Sequence, residues 1–154
     1  MSTQHVAVIQ AGSVLFDTTR TLDRLAALTT DAAGRGAKLV VFPEAFIGGY
    51  PKGLGFGAKM GTRTPEGREE FRRYFEAAVE VPGPVTEAIG NAARGCGVYL
   101  VVGAVERSGS TLYCTALFFG PDGSLLTKHR KLMPTALERL VWGQGDGSTL
   151  PVID

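Results

Sequence analysis

The sequence predicts an α/β fold, and three observations carry that prediction. Two short runs rich in Val and other apolar residues, His5–Gln10 and Lys38–Phe42, flank a segment whose apolar residues recur at helical spacing, the pattern of a β-α-β unit. Further apolar runs at Val98–Val105 and Leu112–Phe119 follow two more helical segments. The composition, 44% apolar and 20% charged over 154 residues, is that of one globular domain.

Each element has a local reason. His5–Gln10 is short and apolar, a buried strand. Asp17 or Thr18 can cap the helix that follows, on which Leu22, Leu25, Ala26, Thr29, Ala32 and Ala33 form one stripe; Gly34 and Gly36 stop it. Lys38–Phe42 is a second buried strand. Pro43–Thr64 reads as a long loop, and a loop of that length inside a compact domain is usually functional. Pro65–Glu80 reads as a charged amphipathic helix with Phe71, Tyr74, Phe75 and Ala78 on one side. Pro82-Gly83-Pro84 breaks it, and Pro84 opens another helix with the stripe Val85, Ala88, Ile89 and Ala92, closed by Gly95 and Gly97. Val98–Val105 and Leu112–Phe119 are strands, and Pro121-Asp122-Gly123 is a turn leading to a hairpin arm at Leu125–Lys131. Leu132–Leu150 reads as loop, and Pro151–Asp154 as the opening of one more strand. The chain therefore reads as the N-terminal part of a longer domain or as a shortened product.

The charge balance removes several classes of function. Lys and Arg number 16 against 15 Asp and Glu, so the net charge is +1, without the footprint that nucleic acid or anionic lipid demands. No apolar run approaches the roughly 20 residues of a membrane helix, and the N-terminus lacks the pattern of a signal peptide. Two cysteines, Cys96 and Cys114, are too few for a disulfide scaffold and form no Cys-x-x-Cys pair, so neither a disulfide framework nor a structural zinc site is supported. These features predict a soluble protein of a reducing compartment, the cytoplasm.

Three residues stand out as candidates. Glu44 lies just past the second strand, where α/β sheets bind ligands, and its apolar neighbours Phe42, Ala45, Phe46 and Ile47 would desolvate it towards general-base strength; the alternative is a surface carboxylate at a loop start. Lys131 ends the run Lys128-His129-Arg130-Lys131 on a strand, where alternation sets Thr127, His129 and Lys131 on one face and Lys128 and Arg130 on the other. It could stabilise developing negative charge, or belong to a solvated or edge-guarding basic face. Glu138 sits among apolar residues, and the plain alternative is a surface acid paired with a neighbouring base.

At these residues the chain resembles a known family. Gly36–Pro51, GAKLVVFPEAFIGGYP, is similar to the first signature of the nitrilase superfamily of carbon–nitrogen hydrolases. Lys128–Gly147, KHRKLMPTALERLVWGQGDG, resembles the lysine region of the nitrilase and cyanide hydratase branch, as does the intervening Pro51–Pro84. The resemblance covers nearly the whole chain, so residues 1–154 read as the N-terminal part of such a domain. It implies a four-layer α-β-β-α sandwich, truncated here before the nucleophile strand. It implies Glu44 as general base, Lys131 as stabiliser of the tetrahedral intermediate and Glu138 as a second, positioning glutamate. The family's nucleophilic Cys sits on a later strand, and neither Cys96 nor Cys114 has its context, so each is read as a small buried hydrophobe.

The implied reaction converts a small-molecule nitrile to a carboxylic acid and ammonia through a thioimidate and an acyl-enzyme, without metal or organic cofactor, in a homo-oligomer. Without its nucleophile this chain alone is expected to be inactive. The alternatives are a catalytically dead half-domain that co-assembles with full-length subunits, and a cyanide hydratase or dihydratase fragment. A phosphate-binding module built on the glycines of Leu54–Gly61 is disfavoured, because no Walker pattern is present. Trp142, Tyr50 and Phe46 are candidates to line the site, with ordinary packing as the alternative.

Overall fold

A computed structural model describes residues 3–57 and 64–153. Its elements run β1 (Val6–Val8), α1 (Thr18–Gly34), β2 (Leu39–Val41), α2 (Pro65–Ala77), α3 (Pro84–Cys96), β3 (Tyr99–Ser108), β4 (Thr111–Phe119) and β5 (Leu125–Arg130), followed by a short 3-10 helix at Ala136–Leu140. The strands form one five-stranded sheet in the order β1-β2-β3-β4-β5. β1, β2 and β3 are parallel, and β3-β4-β5 continue as antiparallel neighbours. The fold is α/β with a mixed sheet.

The parallel pairs follow from the crossovers. α1 is capped by Asp17, whose carboxylate accepts from Arg20 N at 3.0 Å, and it returns the chain so that β2 lies beside β1. α3 begins with Pro84 in its first turn and closes on Gly97 in the left-handed conformation, which feeds β3 beside β2. Both helices cover the same face. Leu25 and Ala32 of α1 and Ile89 and Ala93 of α3 join Val40, Leu100, Val102, Leu117 and Phe119 in the main core.

The other face is only partly covered. A second cluster there gathers Ala45, Tyr74, Val105, Leu112, Cys114 and Trp142 under α2 and the loops. Towards β1 the face is open, and Val6, Val8 and Tyr99 are exposed. Of the four layers implied by the resemblance, the described residues form one helical layer and one sheet.

Several boundaries differ from expectation. α2 stops at Ala77 rather than Glu80, because Ala78 turns extended and Val79 bridges to Glu106 of β3, with Val79 N donating to Val105 O at 2.9 Å. β3 runs on to Ser108, past Glu106, since that carboxylate is neutralised across the sheet. The Leu132–Leu150 segment contains the 3-10 helix rather than loop alone. Residues 151–153 form no strand, and Asp154 lies outside the described residues. Of the Leu54–Gly61 stretch, residues 58–61 also lie outside them. Gly57 packs backbone to backbone against Gly67 of α2, where a Cβ on Gly67 would fall 2.3 Å from Gly57 N. That glycine serves close packing rather than a phosphate cradle.

Candidate active site

Glu44 is placed by a sharp turn that crosses β3. After β2, Phe42 N donates to Val101 O and Ile47 N to Gly103 O, so the chain stays parallel to β3 on both sides of the turn. Ala45 takes a positive φ of 49° to make the bend. The approach is so close that a Cβ on Gly103 would stand 2.2 Å from Pro43 O and 2.7 Å from Glu44 Cα. Glycine is what lets the Glu44 turn lie flat on the sheet. The desolvation expected of Glu44 from its neighbours is not found, since its side chain is 44% exposed.

Lys131 is fixed immediately after β5. Its N–H donates to Cys114 O at 2.8 Å, and its carbonyl accepts from Gly145 N at 2.9 Å. The alternation read from the sequence is what the sheet displays. Lys131 faces Glu44, while Lys128 and Arg130 face the opposite side and bind buried Glu106, each at 2.6 Å. Thr115 Oγ1 also donates to Glu106 at 2.8 Å. The basic run is therefore neither a solvated nor an edge-guarding face.

Glu138 sits in the first turn of the 3-10 helix, and its carboxylate reaches back to accept from Thr135 N at 2.6 Å. It is nearly buried, at 7% exposure. Its partners are not the neighbouring Arg139, whose Nε donates to Pro134 O.

The three candidates converge on one ammonium. Lys131 Nζ donates to Glu44 Oε1 at 2.7 Å and to Glu138 Oε2 at 2.8 Å. Tyr50 donates its hydroxyl to the other Glu138 oxygen at 2.6 Å. Burial pushes the Glu138 carboxyl up, but the bonds from Lys131, Tyr50 and Thr135 outweigh it and hold the group below the usual carboxylate range. Lys131 is likewise pushed down by burial, yet its bonds to Glu138 and Glu44 raise it above the ordinary lysine range, so it stays charged. A cleft of about 660 Å³ opens over Glu44, Tyr50, Lys131, Thr135 and Glu138.

Cys114 also touches this set, which sequence reasoning missed. Its thiol donates to Glu44 Oε1 at 3.3 Å from a buried position on β4. Burial, then the Glu44 charge and hydrogen bond, push the thiol up to about 12, so it remains a neutral donor. The signal available was strand parity: Cys114 faces the same way as Ala116, whose partner in β5 is His129, two residues before Lys131. Of the residues expected to line the site, Tyr50 does so. Trp142 lies buried beneath it with ring centroids 5.8 Å apart, and Phe46 is core. Among the described residues no three His, Cys, Asp or Glu side chains gather as a metal-binding group, and no helix is long and apolar enough to cross a membrane.

The carbon–nitrogen hydrolase family model matches residues 5–154. The chain belongs to this family. Within it the similarity is to plant nitrilases. Nitrilase 3 of Arabidopsis thaliana is 56% identical over 153 residues, which is 99% of this chain and 44% of the relative. A bifunctional nitrilase/nitrile hydratase of Lupinus angustifolius is 55% identical over 152 residues, with the same shares of 99% and 44%. This carbon–nitrogen hydrolase chain thus spans less than half the length of the curated relatives it matches. A crystal structure of an amidase from Nesterenkonia sp. superposes with a TM-score of 0.68 at 19% identity, covering 93% of this chain and 48% of that one, and it shares the fold.

Proposed function

We propose that the protein hydrolyses a small nitrile to a carboxylic acid and ammonia, with Glu44, Lys131 and Glu138 as three of the groups that do it. The observation that carries this reading is the single ammonium of Lys131 held between two carboxylates at 2.7 and 2.8 Å over an open cleft. The names of the plant relatives support the substrate class.

In this reading the nucleophilic thiol comes from a cysteine outside these 154 residues. Cys114 is buried and its thiol is too weak an acid to serve, and Cys96 lies at the end of α3, where its Sγ contacts Thr30 Oγ1. Glu44 takes the thiol proton as sulfur adds to the nitrile carbon and passes it to the nitrogen, which forms a thioimidate and leaves Glu44 ionised again. Water, deprotonated by Glu44, adds to that carbon. Expulsion of ammonia leaves an acyl thioester, and a second water releases the acid and restores the thiol. Lys131 offers positive charge to the tetrahedral centre in each addition, where a preorganised donor counts most. Glu138 holds Lys131 in place. The net reaction consumes two waters per nitrile and needs no redox partner. Release of the amide instead of ammonia is the neighbouring outcome, in which the tetrahedral centre expels sulfur before nitrogen; the nitrile hydratase named among the relatives motivates looking for it.

The test is ammonia and amide release from a panel of aliphatic, aryl and arylaceto nitriles. It is run on the 154-residue chain and on the full product of its gene. Ammonia from the full product alone, lost in Lys131→Met, is the expected result. Turnover by the short chain would overturn the missing nucleophile. No turnover by either form would leave a binding role, co-assembly with full-length subunits, as the better reading.

A further inference from the structure

Tyr50 belongs to this site, and the hydrolase reading gives it no role. It follows Gly48 and Gly49, and its ring stands edge-on to Trp142 at 77°. That position is braced from below. Buried Tyr74 of α2 donates its hydroxyl to Gly49 O at 3.1 Å and accepts from Trp142 Nε1 at 3.1 Å. The fold thereby fixes its direction: the Tyr50 ring rests on a tied-down indole, and its hydroxyl ends 2.6 Å from Glu138 Oε1.

The carboxylate is fully committed by this arrangement. Oε1 takes the phenol; Oε2 takes Lys131 Nζ and the Thr135 N–H. A carboxylate held at one oxygen only can swing about its terminal bond, and Lys131 would swing with it. Held at both, it fixes the ammonium relative to Glu44. We propose that Tyr50 is a positioning residue that acts through Glu138, its hydroxyl locking the carboxylate that aims Lys131 into the cleft. This rests on the hydrolase reading above for its consequence to catalysis, but not for the contact itself.

The groups that face Glu138 are Tyr50, Lys131 and the Thr135 amide, with Glu44, Tyr74 and Cys114 further round the site. Tyr50 itself is raised from the usual phenol range, first by its bond to Glu138, so it remains a donor through neutral pH. Removing the hydroxyl takes away one of the bonds that favour ionised Glu138.

The experiment compares wild type with Tyr50→Phe, which keeps the ring on Trp142. The Glu138 carboxyl is followed by 13C NMR of the glutamate-labelled chain, assigned with Glu138→Gln and read in the solid state if the chain associates. The expected result is a rise of about one pH unit in the Glu138 midpoint, the scale of one hydrogen bond to a charged acceptor. In the full gene product the same change should lower kcat about ten-fold with KM within two-fold, and move the acid limb of the rate profile upward. It should cost nothing further in a Glu138→Gln background. An unmoved Glu138 midpoint overturns the proposal. So does an undiminished ten-fold loss in the Glu138→Gln background, which would mean that Tyr50 meets the substrate directly. A shifted midpoint in a full product that hydrolyses no nitrile would sustain the coupling and overturn the hydrolase reading.

Discussion

Cys114 shows how one atom's surroundings decide a residue's chemistry. A thiol 3.3 Å from a carboxylate has the outline of a nucleophile beside its base. Burial and the negative charge of Glu44 both disfavour the thiolate, and together they outweigh the pull of Lys131. With the thiol pushed up to about 12, roughly one molecule in ten thousand carries the anion at pH 8. Native protein treated with iodoacetamide at pH 8 should therefore keep Cys114 unmodified by mass spectrometry, and label it fully once urea unfolds the chain. Rapid native labelling of Cys114 would show that the thiolate is accessible and would reopen its candidacy. The same proximity gives Glu44 a second donor beside Lys131, on the same oxygen.

Among the elements, β3 and β5 carry the clearest lesson. The alternation of Thr127, His129 and Lys131 against Lys128 and Arg130 was legible, because a strand has period two wherever it lies. Glu44 past β2 and the two crossover helices were legible for the same local reason. What was not legible was long-range. Glu106 breaks an apolar run, and nothing near it in sequence announces the two cations and the threonine that meet it across 9 to 24 residues. Nor does a loop sequence reveal that Ala45 bends over Gly103, that Val79 leaves α2 for β3, or that Tyr50 reaches a carboxylate 88 positions away.

The Glu106 cluster makes a prediction at this scale. Burial pushes its carboxyl up, but Arg130, Lys128 and Thr115 outweigh burial and hold it below the usual range. Its folded value thus lies under its unfolded one, so the stabilisation is complete above the ordinary carboxylate range, declines as pH falls below that range, and is gone once pH has passed through the lower folded value. Glu106→Gln should cost roughly 2–3 kcal/mol at pH 7, below the 3–5 typical of a broken buried pair, because Lys128 and Arg130 are each about a quarter exposed and can rehydrate. Urea midpoints at pH 7 and pH 3.5 test this. The gap between wild type and variant should narrow at the lower pH, and a constant gap would assign the loss to packing rather than charge.

For the molecule as a whole, the decisive feature is asymmetry between the two faces of the sheet. One face is sealed by α1 and α3. On the other, Val8 is 78% exposed, Val6 53% and Tyr99 41%, and across the sheet they align with Leu39, Val41, Val101 and Phe118. The β1 edge beside them is three residues long and has no neighbour on its outer side among the described residues. Apolar surface of this continuity gains about 25 cal/mol for each Å² removed from water, and an unpaired edge adds a template for backbone pairing. The 154-residue chain should therefore self-associate, with a mass by light scattering above 16.3 kDa that rises with concentration. Val8→Lys with Tyr99→Lys should return it towards monomer without loss of helical signal, since neither side chain belongs to the sealed core. A monodisperse wild-type monomer with a cooperative melt would mean that this face is tolerated by the chain alone, and that burying it against further structure is not what makes the fold soluble.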